Sequence, residues 1–361
     1  MSGPPPSPLS DLYARENAHL AEYHGGLLPR YFSDPVAEHL AVRRHAGLFD
    51  YSFRAHLALT GDDRAKFLHR IVSQDIRNVA PGHGTYSTLL NPQGHILADF
   101  CVYSTDDRLL IDTDADLRDK LTQGLRKYII ADKVQVESRD TAAIAIQGPE
   151  SLGIIKKALQ SELHLAKEHD HATSHLAGLS VRILRAGSTG EEGYEIWVAR
   201  QHLERAWKLL RETAGPAGAT AFCCGVTALE TLRIEAGIAR YGSDMGEDTI
   251  LNEAALFNAV SFNKGCYIGQ EIVERARSRG HVNWKLMGVV VDSASPPQPG
   301  EKLLAGSKEI GEITSACVSP TLGKTIALAY LRREASEPGT DVLLASGVQA
   351  EVTSLPFYSR S

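Results

Sequence analysis

One cysteine stands in a setting that could support chemistry, within the segment NKGCYIGQEIVERARSRG at residues 263–280. Cys266 follows Lys264 and lies near a helix start, and a cation or a helix N-terminus lowers the pKa of a thiol and raises its reactivity. The chain has no His and Asn pair at the spacing of a papain-like nucleophile and no neighbouring ligands for a closed zinc site. The segment therefore predicts a reactive thiol without a metal, and the alternative is a small residue in a tight turn.

Basic residues follow this cysteine. Between residues 264 and 285 five cations face two carboxylates, a local charge of +3 in a chain of net charge −6. The cations are Lys264, Arg275, Arg277, Arg279 and Lys285. Such a patch suits an anionic partner, for example a glutamate tail, a phosphate or an RNA backbone. The alternative is a solvated helix face on which Glu271 pairs with Arg275 four residues later.

Two acidic residues lie where strands begin. Asp99 follows the turn at residues 91–94 in LLNPQGHILADF, where it could contact the amine of a ligand. Its alternative is an outward residue on a half-exposed strand. Glu195 enters a strand in STGEEGYEIWV, and a carboxylate there can accept two hydrogen bonds from an amino-pyrimidine edge. Its alternative is an acidic hairpin that faces water.

One arginine lies near the end of a helix predicted in GVTALETLRIEAG. Arg233 complements the helix dipole there and can pair with Glu230 three residues earlier. These structural roles account for it fully, and only a nearby ligand would make it a binding residue.

The elements that position these residues alternate between helices and strands as far as residue 284. The segment SDPVAEHLAVRRHAGLFD predicts a helix that Ser33 or Asp34 caps and that a left-handed Gly47 stops. FRAHLALTG predicts a strand and DDRAKFLHRIV a short helix. Further strands are predicted over 95–104 and 108–113 and near residues 134, 144, 181 and 194, with helices over 115–128, after 149, and over 201–213 and 225–236. After residue 284, short apolar runs separated by turns predict a small β-barrel or sandwich.

Composition restricts the class of protein. A chain of 361 residues suggests two or three domains, and its net charge of −6 argues against general nucleic-acid binding. No apolar run is long enough to span a membrane, and MSGPPPSPLSDLY lacks the features of a secretory signal. The five cysteines form no CxxC pair, which is typical of reduced thiols. We therefore expect a cytoplasmic protein.

The motif KGCYIGQE resembles the signature of the YgfZ family of folate-binding proteins, which is related to the aminomethyltransferase (T-protein, GcvT) of the glycine cleavage system. The motif residues are Lys264, Gly265, Cys266, Tyr267, Gly269, Gln270 and Glu271. The stretches EHLAVRRHAGLFDYS, LTGDDRAKFLHRIVSQDI, LLNPQGHILADF, TGEEGYEI and LETLRIEAG are similar to the wider superfamily. The resemblance implies an α+β fold, a three-lobed ring in which two lobes surround a folate site and a C-terminal β-barrel completes the circle.

The resemblance also implies domain limits and residue roles. It implies a flexible tail and lead-in helix at 1–26, a folate-binding region at 27–284 and a barrel at 285–361. Glu195 matches the glutamate that binds the pterin edge, with Tyr194 beside it, and Arg233 matches an arginine near the folate. Asp99 matches the second of two consecutive aspartates of T-proteins, and Ala98 occupies the first position. Ser188 stands where T-proteins usually have tyrosine.

The resemblance leads to two function hypotheses. The first is a tetrahydrofolate-binding protein that supports iron–sulfur cluster assembly or repair and, indirectly, tRNA modification. Cys266 would act on a cluster, a persulfide or a partner thiol, and Lys264 with the Arg275–Arg279 patch would guide an anionic partner. The alternative is an aminomethyltransferase in which Asp99 assists transfer from an aminomethyl-lipoyl carrier protein to tetrahydrofolate with release of ammonia. A third hypothesis is RNA binding by the basic patch, and it rests only on the local charge.

Overall fold

The computed structural model describes residues 7–214, 222–278 and 282–360. Of the predicted N-terminal tail and lead-in helix at 1–26, residues 1–6 lie outside the described residues, and so does Arg279. The helices are α1 Ser10–Arg15, α2 Pro35–Arg44, α3 Arg64–Ile71, α4 Arg118–Lys127, α5 Ser151–Leu159, α6 Leu203–Thr213, α7 Val226–Glu235 and α8 Gln270–Ser278. The strands before the barrel are β1 His19–Tyr23, β2 Gly26–Tyr31, β3 Gly47–Asp50, β4 Arg54–Thr60, β5 Gly84–Leu90, β6 Ile96–Ser104, β7 Leu109–Asp114, β8 Gln135–Arg139, β9 Thr141–Gln147, β10 His171–Leu176, β11 Leu179–Arg185, β12 Gly193–Ala199 and β13 Phe222–Cys223.

The first lobe is a five-stranded antiparallel sheet of order β5-β6-β7-β4-β8. Helices α3 and α4 cover one face, where Phe67 and Leu121 pack against alternate residues of β6. Those strand residues are Ala98, Phe100 and Val102. Because side chains alternate across a strand, Asp99 and Cys101 point to the opposite face.

The second lobe is a six-stranded sheet of order β10-β11-β12-β9-β3-β13. Helices α5 and α6 cover its outer face, and Trp207 of α6 is completely buried there. Its inner face carries Ala143, Ala145 and Trp197, which share one core with Ala58 and Tyr103 of the first sheet. The inner faces of the two sheets therefore meet, and functional side chains on them can converge.

The C-terminal strands close into a barrel. They are β14 Trp284–Val291, β15 Lys302–Ala305, β16 Lys308–Ser319, β17 Lys324–Arg332, β18 Asp341–Leu344 and β19 Gln349–Thr353. Their order is β14-β17-β16-β15-β18-β19, and β19 pairs back with β14. Ile234 of α7 packs on Leu286, Ile326 and Leu328 of the barrel. The predicted α+β class, with two lobes and a C-terminal barrel, is confirmed.

One local prediction is wrong. The helix that begins after Asp34 ends at Arg44, and Gly47 begins strand β3 instead of stopping a helix in the left-handed conformation. Strand β3 pairs with β9 and is buried along its whole length. A Cβ at residue 47 would meet the Val42 side chain at 2.4 Å, so close packing explains the glycine. Among the described residues, no helix is long and apolar enough to cross a membrane.

Candidate functional site

A cavity of about 900 Å³ lies where the two inner sheet faces meet α7 and the barrel. This volume is in the range that holds a small organic ligand. Aromatic rings supply much of its apolar wall, and they belong to Tyr23, Tyr51, Phe53, Tyr86 and Tyr103. Carboxylates come from both sheets, so the cavity combines flat apolar surfaces with charge.

Asp99 of β6 faces this cavity. Its neighbour Ala98 is completely buried on the opposite face of the strand, so the position at which T-proteins carry another aspartate does not point into the cavity. The Tyr86 hydroxyl donates a hydrogen bond of 2.9 Å to Asp99 Oδ2. Burial, with the nearby Asp114 charge, raises the pKa of Asp99 to about 6. Asp99 is therefore mostly ionised at neutral pH.

Glu195 of β12 reaches the same cavity from the facing sheet. Trp197 Nε1 donates a hydrogen bond of 3.1 Å to Glu195 Oε2. Burial first, and then the Asp112 charge, raise the pKa of Glu195 to about 8, although Arg54 opposes the shift. Glu195 is therefore mostly protonated at neutral pH when the cavity is empty. Two carboxyl groups with separated pKa values in one cavity are an arrangement typical of acid and base roles.

Arg54 organises the charges between these two residues. Its Nε and Nη2 donate to both oxygens of Asp112 at 3.0 and 2.7 Å, and its Nη1 donates to Asp114. Such a bidentate pair fixes both partners. Neither Arg54 nor the two aspartates were singled out from the sequence. Alternate polar positions in FRAHLALTG and LLIDTD were the only available signal, and it is weak.

Arg233 lines the cavity but is fully engaged in structural contacts. Its Nε and Nη2 donate to Glu230 at 3.1 and 2.9 Å, and a second Nη2 bond of 2.7 Å reaches Ser315 of the barrel. Its Nη1 donates to Asp244 and to the Ile238 carbonyl. All five guanidinium donors thus have partners. Arg233 fixes α7 against the barrel, and no N–H remains for a ligand in this arrangement.

Tyr194 does not belong to the cavity. It alternates with Glu195 along β12 and is buried in the outer core with α5 and α6. Its hydroxyl donates to Glu192 at 2.8 Å. The structure therefore contradicts the predicted folate contact of Tyr194. Because side chains alternate along a strand, Tyr194 and Glu195 point to opposite faces of the sheet.

Cys266 is exposed and does not line the cavity. Its neighbour Lys264 is buried, and the Lys264 Nζ donates to the backbone carbonyls of His69, in the last turn of α3, and of Val72 and Gln74, just after it. Burial lowers the pKa of Lys264 to about 8. The predicted role of Lys264 in guiding an anionic partner is wrong, because its ammonium is enclosed by backbone.

The rest of the motif packs on the first lobe. Tyr267 is buried in a core with Leu90 and Ile96, which flank the β5–β6 turn. Gly269 has a φ of +81°, and a Cβ there would lie 2.7 Å from the Asn91 carbonyl. Gly265 is exposed and Gln270 begins α8. The motif thus joins α8 to the hairpin that carries Asp99.

The two described arginines of the basic patch lie on α8 and pair with glutamates of the same helix. Arg275 bonds to Glu271, and Arg277 lies 3.7 Å from Glu274 and 4.2 Å above the Phe262 ring. These contacts correspond to the solvated helix face that was the alternative prediction. Pairing reduces the field that an anionic partner would meet.

Similarity to known proteins extends over nearly the whole chain. The chain matches the GCVT N-terminal domain over residues 9–264 and the glycine cleavage T-protein C-terminal barrel domain over residues 285–359. The chain belongs to the glycine cleavage T-protein family. This confirms the superfamily resemblance seen in the sequence.

Individual members of the T-protein family are similar along their full length. Aminomethyltransferases of Streptomyces avermitilis and Bacillus subtilis are 33% and 30% identical to the chain, and each alignment spans 98% of it and 97% and 99% of the relative. The crystal structure of the glycine cleavage system aminomethyltransferase T from Bartonella henselae superposes with a TM-score of 0.91 at 25% identity, over 99% of this chain and 98% of that one. These similarities do not support the narrower YgfZ-type assignment.

Proposed function

We propose that this protein is an aminomethyltransferase that uses tetrahydrofolate as its acceptor and an aminomethyl-lipoyl carrier protein as its donor. The observation that carries the proposal is one cavity that Asp99 and Glu195 line from two sheets. The names of the full-length relatives favour the same reaction.

The reaction needs positioning more than reactive side chains. The methylene carbon of the donor forms bonds to N5 and N10 of tetrahydrofolate, while its bonds to nitrogen and sulfur break. Two protons from the folate nitrogens leave with ammonia and with the dihydrolipoyl thiol. Asp99 stabilises positive charge that develops near N5 and accepts its proton, and Tyr86 fixes the Asp99 carboxylate.

Glu195 is the group that we assign to the pterin. The amino-pyrimidine edge presents two parallel N–H donors, and a carboxylate accepts both in a planar fork. Glu195 lies deep in the cavity with one oxygen held by Trp197, which orients this fork. The rings of Tyr51, Phe53 and Tyr103 offer faces against which the pterin can stack.

The experiment is an assay of ammonia release with purified protein, tetrahydrofolate and an aminomethylated lipoyl carrier protein. We expect turnover that requires both substrates and that stops when tetrahydrofolate is omitted. Absence of ammonia above background, in a preparation that still binds tetrahydrofolate, would contradict the transferase and leave a folate-binding protein without this activity.

A second candidate is support of iron–sulfur proteins through Cys266. The observation in its favour is the exposure of this thiol in a motif similar to the YgfZ signature. The buried position of Lys264 and the paired arginines weaken it, because neither leaves a free cation beside the sulfur. Complementation of a strain that lacks such support, with and without Cys266, tests it.

A further inference from the structure

His56 is buried at the seam where the inner sheet faces of the two lobes meet. It lies on β4 between Arg54 and Ala58, and these three side chains point to the inner face because side chains alternate along a strand. Only 2% of His56 is exposed, and Arg54 lines the cavity whereas His56 does not. His56 can therefore influence a ligand only through the residues that it contacts.

The first contact of His56 is Trp197 on the facing sheet. The two rings stack with their centroids 3.9 Å apart and an angle of 27° between their planes. Tyr103 meets the same indole edge-on, at 5.4 Å and 88°. An indole has a single hydrogen-bond donor, and Trp197 Nε1 donates to Glu195 Oε2 at 3.1 Å. The two neighbouring rings thus fix the plane of the indole and, with it, the direction of the N–H group that orients Glu195.

Polar neighbours hold the imidazole of His56 in turn. Its Nδ1 lies 2.7 Å from the Thr141 hydroxyl of β9, and its Nε2 lies 3.6 Å from Oδ1 of Asp112, which Arg54 binds through both oxygens. Burial first, and then the charges of Arg54 and Arg200, lower the pKa of His56 to about 3, so the ring is neutral at physiological pH. A neutral imidazole protonated at Nε2 accepts from Thr141 and turns its N–H toward the Asp112 carboxylate.

These contacts form a continuous path from β4 to the pterin carboxylate. We propose that His56 is a positioning residue for ligand binding, which holds the Trp197 indole in the orientation that donates to Glu195. His56 makes no contact with the ligand itself. The inference rests on the proposed function, in which Glu195 binds the pterin, and extends it to a residue of the opposite sheet.

Two variants separate the ring of His56 from its nitrogens. His56→Phe keeps a flat ring over the indole and removes both nitrogens, whereas His56→Asn keeps a polar group for Thr141 and removes the ring. By calorimetry, we expect tetrahydrofolate to bind His56→Asn about tenfold more weakly than the parent and His56→Phe within about threefold of it. Both variants should unfold at lower urea concentrations, because each loses a buried contact. A role in stability alone would therefore leave both affinities unchanged.

A double-variant cycle tests whether His56 acts through Trp197. Trp197→Phe keeps an aromatic ring and removes the donor to Glu195. In the Trp197→Phe background, His56→Asn should weaken tetrahydrofolate binding by less than about twofold, because the bond that it disturbs is already absent. Fully additive effects of the two substitutions, or equal affinity of His56→Asn and the parent, would overturn the inference while the proposed function stands.

A measurement without ligand separates this inference from the proposed function. The Trp197 indole 15N–1H resonance, assigned by its absence in Trp197→Phe, should follow the ionisation of Glu195, whose pKa is about 8. We expect this titration to persist in His56→Phe and to be lost in His56→Asn, so either variant is informative if the other does not fold. Loss in His56→Phe, or an unchanged titration in His56→Asn, would contradict the positioning role. If the parent does not bind tetrahydrofolate, the proposed function fails, and the titration still decides whether His56 acts on Glu195.

Discussion

The central cavity and the Cys266 motif differ in how their polar groups are used. In the cavity, Asp99 and Glu195 have pKa values shifted by burial. In the motif, the Lys264 ammonium is bonded to three carbonyls and Glu271 is paired with Arg275. Carboxyl groups with shifted pKa values in an enclosed space indicate ligand binding, whereas charges that are paired with neighbouring groups indicate structure.

The contrast has a physical basis in what each region must achieve. The motif has to bond the end of α3, turn at Gly269 and pack Tyr267 against the β5–β6 hairpin, so these three positions are restricted by packing. The cavity needs only a few side chains of particular charge on strands that are otherwise ordinary. A long recognisable motif can therefore reflect packing requirements, and residues outside that motif can carry the chemistry.

The largest expected effect belongs to Asp99. Asp99→Asn keeps the shape and the bond from Tyr86 but removes the charge, so turnover should fall by about 10²- to 10⁴-fold with little change in folate affinity. Ammonia release and calorimetry measure the two quantities. Asp107→Asn, at an exposed carboxylate of the same lobe, is the matched control and should be neutral. Near-parental turnover in Asp99→Asn would remove the cavity from the chemistry.

The next effect is on stability. Lys264→Met leaves three carbonyls near the end of α3 without their donor, and we expect a loss of about 3 kcal/mol in the free energy of unfolding. Lys308→Met, at an exposed lysine paired with Glu334, should cost less than about 0.5 kcal/mol. Urea unfolding compares the two, and folded Lys264→Met should bind folate normally. Unchanged stability together with a lost partner interaction would restore the guiding role of Lys264.

Glu195 gives a smaller, pH-dependent effect. Below its pKa of about 8 the empty protein holds this carboxyl protonated, and the pterin fork requires the carboxylate. Binding at pH 7 should therefore release close to one proton, and affinity should rise about tenfold per pH unit from pH 6 until it levels near pH 8. Calorimetry in buffers of different ionisation enthalpy counts the proton. Glu195→Gln should bind more weakly and lose the pH dependence, and a parent affinity that is flat over this range would argue against the assignment.

More of the fold than of the site could be predicted from the sequence. Helical periodicity and caps located α2, α3 and α7, and short apolar strands located the barrel. Strand β3 was missed, and its first residue Gly47 was predicted to stop a helix, because GLFD is buried on both faces and shows no alternation. Local patterns could not reveal it, since its pairing with β9 joins residues about a hundred positions apart.

The properties of the site could not be predicted from the sequence, for a different reason. Asp99 and Glu195 were found through family resemblance, but their pKa values depend on the facing sheet and on Arg54, which are distant in sequence. Lys264 was placed at the surface because a buried lysine and an exposed one have the same local pattern.

The smallest expected effect, that of Cys266→Ser, separates the two function hypotheses most clearly. The thiol is exposed, lies outside the cavity wall and makes no hydrogen bond in the described structure, so stability should change by less than about 0.5 kcal/mol and turnover by less than twofold. If the variant retains ammonia release in vitro but fails to support an iron–sulfur enzyme in cells, the motif has a function of its own beside the cavity. If it retains both, the motif serves packing alone, through the buried Lys264 and Tyr267 and the left-handed Gly269. Loss of turnover would instead contradict the contrast between the cavity and the motif, since the thiol would have to act on the cavity across the hairpin that carries Asp99.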